Sequence, residues 1–126
     1  MILTVSLVAL GGALGASLRY LAGLGVFRLL GPQEFPLAIL TVNVLGSLLM
    51  GVFVSLAAHK GLTYLSPLVM TGLLGGFTTF SSFSLETVTL IERGATGQAA
   101  VYVLASVLLS VGALVAGLLM TRAVLT

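Results

Sequence analysis

Between Gly72 and Glu86 the chain reads Gly-Leu-Leu-Gly-Gly-Phe-Thr-Thr-Phe-Ser-Ser-Phe-Ser-Leu-Glu. A plain lipid-facing helix would carry Leu, Ile, Val and Ala here. Instead a glycine pair precedes the hydroxyls of Thr78, Thr79, Ser81, Ser82 and Ser84, threaded with Phe77, Phe80 and Phe83. Gly75-Gly76 lacks side chains and is conformationally permissive, so the helix is expected to break near it. A break inside hydrocarbon frees carbonyls and amides that must find a partner in protein, water or an ion. The bland alternative is tight packing through Gly72 and Gly76, with the hydroxyls bonded back to their own helix. Glycines, hydroxyls and aromatics in one stretch favour an ion site.

The rest of the chain must place that stretch in a membrane. It is 59% hydrophobic and only 6% charged, which excludes an ordinary soluble domain. A crossing helix needs about 20 apolar residues. The apolar runs predict an all-α membrane protein, a single transmembrane domain with approximate spans 3–27, 36–58, 66–91 and 99–120. The first span lacks the basic start of a signal peptide, and its apolar pattern resumes past Arg19. There is no cysteine, hence no disulfide or thiolate chemistry, and one histidine with three acidic residues makes no catalytic cluster. His59 stands beside Lys60 in an expected turn, as a solvated residue. A net charge of +2 is too small to argue for nucleic acid. An enzyme is not expected.

Other residues in the spans stand out against hydrocarbon. Arg19 follows the small residues Gly11, Gly12, Gly15 and Ala16. At a helix centre an arginine costs about 2.5–3.5 kcal/mol, less if it snorkels. It is either an interface anchor or a vestibule charge that attracts anions. Asn43 shares a helix face with Gly46, Ser47 and Gly51, and either bonds a neighbouring helix or offers its amide to a pore. Thr79, Ser82 and Glu86 share a face of the third span; Glu86 is an ion-site carboxylate or an interfacial anchor. Tyr102, Ser106 and Ser110 form a hydroxyl stripe in the fourth. Such a stripe ordinarily bonds within its helix, and here a shared polar track with Asn43 is the alternative.

With four spans, Lys60 and Arg122 lie on one side of the membrane and Arg28 and Arg93 on the other. Positive residues near helix ends set orientation, and this tally is balanced. A chain without bias inserts both ways, which makes an antiparallel homodimer the economical assembly. A second subunit would also supply walls that four tightly packed helices lack.

These residues resemble the Fluc family of bacterial fluoride channels. The resemblance rests on Gly15-Ala16-x-x-Arg19-Tyr20, on Thr41-x-Asn43-x-x-Gly46, and above all on the Gly72–Glu86 stretch. It implies a dual-topology antiparallel homodimer in the bacterial inner membrane, passing fluoride passively out of the cell through two antiparallel pores and so conferring fluoride resistance. It implies a structural sodium ion at the dimer centre, held by the backbone carbonyls of Gly75 and Thr78. Phe80 and Phe83 would be the pore phenylalanines, and Asn43, Tyr102, Ser106 and Ser110 would fall on the polar lining, with Thr79, Ser82 and Glu86 beside them. Two positions depart from the pattern. Ile39 stands where the family often has threonine, which thins the polar track, and Ser82 replaces a common threonine but keeps the hydroxyl. A proton-coupled exporter of cationic drugs is the rival of another class. It would need a carboxylate in its central cavity, and the first span offers Arg19 and no acid.

Overall fold

The computed structural model describes all 126 residues and contains only helices. Helix α1 runs Ile2–Leu30 and α2 Leu37–Lys60. A 3₁₀ turn, Thr63–Leu65, leads into a π-helical segment, Pro67–Leu74. The short α3, Gly75–Phe77, is followed by α4, Phe80–Glu92, and α5, Thr96–Leu125. Taking the 3₁₀ turn through α4 as one span, four helical stretches are long and apolar enough to cross a membrane.

The helices run on to or past the charged residues short of which the sequence estimate stopped them, and in the first three spans glycine ends or follows the helix. Gly31 closes α1 and Gly61 closes α2, at φ 73° and 70°, and Gly94 follows α4 at φ 80°. Only glycine adopts this left-handed backbone readily, and there its amide can turn back to satisfy a carbonyl. The Gly61 N–H, for example, donates to the Ala57 carbonyl.

Small residues decide which helices meet. A Cβ on Gly72 would come within 2.8 Å of the Val8 carbonyl oxygen, and one on Gly76 within 2.8 Å of the Gly12 carbonyl oxygen. The π segment and α3 therefore lie backbone to backbone against α1, whose Gly11 and Gly15 are equally confined by Leu68 and Leu73. Gly51 and Gly117 bring α2 against α5 in the same way, and the Ser55 hydroxyl donates to the Leu118 carbonyl at 2.9 Å across that seam. Without a hydrophobic drive between helices in lipid, close van der Waals contact and such bonds hold a bundle together. The α4 half of the third span leaves α1 and packs on α5, around buried Leu90, Ala99 and Tyr102.

The third span does break, but two residues beyond the glycine pair. Gly75 is helical at φ −63°, ψ −37°, and α3 continues through Phe77. Thr78 and Thr79 are extended, at φ −88°, ψ 158° and φ −152°, ψ 118°. Gly72 and Gly76 are spent on close packing, as the simpler reading held. The interruption falls on two β-branched residues, which extended backbone suits better than helix.

Candidate functional site

The two extended threonines leave backbone groups without helical partners, and three side chains answer them. The Asn43 carboxamide takes both groups of Thr79: its Oδ1 accepts from the Thr79 N–H at 2.8 Å and its Nδ2 donates to the Thr79 carbonyl at 3.1 Å. The Thr79 hydroxyl accepts from the Ser82 N–H at 3.1 Å and caps α4. From the opposite side, Arg19 Nε donates to the Gly76 carbonyl at 3.1 Å. Gly46 makes room for the link, since a Cβ there would collide with the Thr78 methyl.

Two freed carbonyls matter for a cation. In a continuous helix the Thr79 N–H would donate to the Gly75 carbonyl, but Asn43 has taken it. The Thr78 N–H goes to Leu74 instead, at 3.0 Å. No side chain, and no amide of the link, donates to the carbonyl oxygens of Gly75 or Thr78. Gly75 is exposed on the single chain, and a Cβ on it would meet only its own segment's Met70 carbonyl, at 3.3 Å. Unpaired carbonyl oxygens are hard donors of the kind that suit an alkali cation.

Beside the break, a groove of about 380 Å³ runs between α2 and α5. Asn43 and Ser47 line it from α2, Thr79, Phe80 and Phe83 from the third span, and Ser106 and Ser110 from α5. Phe80 is 78% exposed on the single chain. Phe83 packs between Phe80 and Tyr102, with ring centroids 5.3 and 5.2 Å away and the rings tilted.

The α5 stripe does not behave as a helical hydroxyl row ordinarily does. Elsewhere hydroxyls bond back one turn: Ser84 to the Phe80 carbonyl at 3.0 Å, Thr87 to Phe83 at 2.8 Å, Thr89 to Leu85 at 2.8 Å. The Tyr102 OH, Ser106 Oγ and Ser110 Oγ are buried and have no hydrogen-bond partner in the chain. Leaving a buried hydroxyl unpaired costs about 1–3 kcal/mol, so three in a row call for a partner from outside the chain.

Not every residue singled out in the sequence reaches the groove. Tyr102 lies behind Phe83, fully buried against Phe35, Ile39 and Leu90. Glu86 opens on a separate cavity of about 290 Å³, walled by Gln33, Phe27 and Phe35 near the α1–α2 turn. Ser82 lines neither cavity. Arg19 sits on the α1 side of the third span, tied to Gly76 and away from both cavities. Ser47 and Met50 line the groove without having been singled out as lining; their places four and seven residues beyond Asn43, on its helix face, are the available signal.

Comparison with known proteins finds relatives along nearly the whole chain. A Ruegeria sp. protein named "Fluoride-specific ion channel FluC" is 67% identical over 126 residues, covering all of both chains. Proteins of the same name from Roseobacter denitrificans and Cereibacter sphaeroides are 67% identical over 119 residues and 58% over 122, covering 94% and 97% of each chain. The family model described as "CrcB-like protein, Camphor Resistance (CrcB)" matches residues 6–118. The break, its glycine packing and its groove all fall within that match, and the chain belongs to the CrcB family.

Proposed function

We propose that this chain is a fluoride-selective ion channel, a multi-pass protein of the bacterial inner membrane that lets cytoplasmic fluoride leave passively and so confers fluoride resistance. The observation that carries the reading is the pair of unpartnered hydroxyls at Ser106 and Ser110, set beside Asn43 and the phenylalanines of the broken span, with the unpartnered Tyr102 hydroxyl behind Phe83. Fluoride is small and strongly hydrated, so a dry path must offer donors in place of water. Hydroxyls and an amide do this. The positive edges of Phe80 and Phe83 attract an anion without holding it tightly, and conduction requires that weakness. Thr79 and Ser82 add hydroxyls near the break, and Glu86 stands at the far cavity. Arg19 contributes positive potential while it holds Gly76. Names borne by relatives 58–67% identical support fluoride as the ion.

The working unit we propose is an antiparallel, dual-topology homodimer with two pores. A single chain leaves Phe80 and Gly75 exposed in hydrocarbon, and a second copy laid across the break would cover both. Sodium would be held at the centre by the Gly75 and Thr78 carbonyls of each copy, supplying fixed positive charge next to the anion path. Purified protein in liposomes should release fluoride rapidly on its own, with chloride and potassium far behind. Cation flux without fluoride flux, or no flux from a verified dimer, overturns the reading.

A further inference from the structure

We infer that the Thr79 backbone locks the Asn43 carboxamide in one flip state, fixing an N–H donor at the groove, so that Thr79 is a positioning residue for anion over cation selection. The inference rests on the channel reading above and adds a residue that acts through Asn43.

A carboxamide carries one acceptor oxygen and two N–H donors, and a half-turn of its end exchanges them. An asparagine bonded through one group alone could present either to an ion. Here both groups are engaged by one residue. The Thr79 N–H fixes the oxygen at 2.8 Å, and the Thr79 carbonyl fixes the nitrogen at 3.1 Å. The flipped state would set N–H against N–H and oxygen against oxygen. The flip state thus follows from the pairing itself. The second N–H of Nδ2 is left at a fixed place in a side chain that lines the groove.

Thr79 can do this only because the span is broken. Its extended backbone turns the amide and carbonyl toward α2, where a helical residue would have pointed them along its own axis. The same bond withdraws the N–H from Gly75 and leaves that carbonyl free. One side chain thereby sets a donor for an anion and frees an acceptor for a cation.

Two measurements on the full-length protein separate this lock from the channel reading. Hydrogen exchange at the Thr79 amide should be slow in the wild type and about tenfold or more faster in Asn43→Leu, the loss of roughly one net hydrogen bond. Asn43→Asp keeps the acceptor, so its Thr79 amide should stay protected. Equal protection in wild type and Asn43→Leu overturns the lock, whether or not the protein conducts. Replacing Thr79 by its α-hydroxy acid keeps the side chain and removes the N–H, while also making the Thr78 carbonyl a weaker, ester acceptor. That backbone ester should lower the fluoride-to-potassium permeability ratio, read from reversal potentials, by about tenfold on the same hydrogen-bond scale, with the dimer intact on gel filtration. An unchanged ratio, even with reduced flux, would leave Thr79 a merely structural part and overturn the proposal. Absence of fluoride flux in the wild type would instead count against the channel reading, and the exchange result would still decide the lock.

Discussion

Ser106 is buried at 6% exposure with its hydroxyl unpaired, which makes an unusual combination of effects testable. If the hydroxyl were structural, Ser106→Ala would destabilise. Because it has no partner in the chain, the substitution should leave stability unchanged or raise it by about 1 kcal/mol, while fluoride flux falls about tenfold for want of one donor. Thermal unfolding and liposome efflux on the same preparation read both; unfolding at clearly lower temperature would show that the hydroxyl has a partner in the assembly. Phe80 and Phe83 make a second test. As packing alone, they should tolerate Phe→Ile at a cost below about 1.5 kcal/mol. As ring edges facing an anion, each replacement should depress efflux sharply in a protein that still runs as a dimer, and wild-type flux in both variants would remove the aromatic contribution. At this scale the sequence singles out residues by type but does not show their partners. The spacing leaves Asn43 as pore lining or helix glue, and the structure has it bond Thr79 of the third span and line the groove; it leaves Arg19 as anchor or vestibule charge, and the structure has it bond the Gly76 carbonyl. A hydrogen bond between spans depends on crossing geometry, which one span's spacing does not contain.

Four helices follow from hydropathy because a bilayer leaves the backbone no other economical choice. The position of the break follows less directly. A glycine pair is a sign both of a break and of close approach, and only the neighbouring backbone decides which. Here Gly12 lies against Gly76, so the pair packs and the break moves to Thr78-Thr79. The two glycines therefore answer to different tests. Gly76→Val would press a side chain into the Gly12 carbonyl and the Ala16 amide at 2.8 and 3.2 Å, and should destabilise the chain itself by about 1–3 kcal/mol or more. Within the chain a Cβ on Gly75 meets only the Met70 carbonyl of its own segment, at 3.3 Å, a far milder contact than at Gly76, so Gly75→Val should fold but lose the dimer and, with it, flux. Chemical unfolding in detergent alongside gel filtration separates the two outcomes. A Gly75→Val protein that dimerises and conducts normally would show that no second copy or central cation meets the chain there.

For the whole molecule, orientation in the membrane is the open quantity, and the charges set it. Arg93 Nη2 donates to the Glu34 carbonyl at 2.8 Å, which fastens the end of α4 to the α1–α2 turn and puts Arg93 on the same face as Arg28. Lys60 at the end of α2 and Arg122 near the end of α5 belong to the other face. Two positive charges therefore oppose two, leaving aside Arg19, which lies within its span. The positive-inside bias acts through such loop and helix-end residues, so this chain carries no net instruction and should insert both ways. A tag on the C-terminus should be reachable from both sides of the membrane in cells. Adding two or three lysines to the Gly61–Leu62 turn should drive every copy one way. Fluoride efflux should then vanish, since parallel copies cannot lay their breaks across each other antiparallel. Lysines added instead around Gln33 and Gly94 should drive copies the opposite way, equally inactive alone. Co-expression of the two biased chains should restore efflux. Full activity from either biased chain by itself would show that one orientation suffices, and the antiparallel pair would have to be given up.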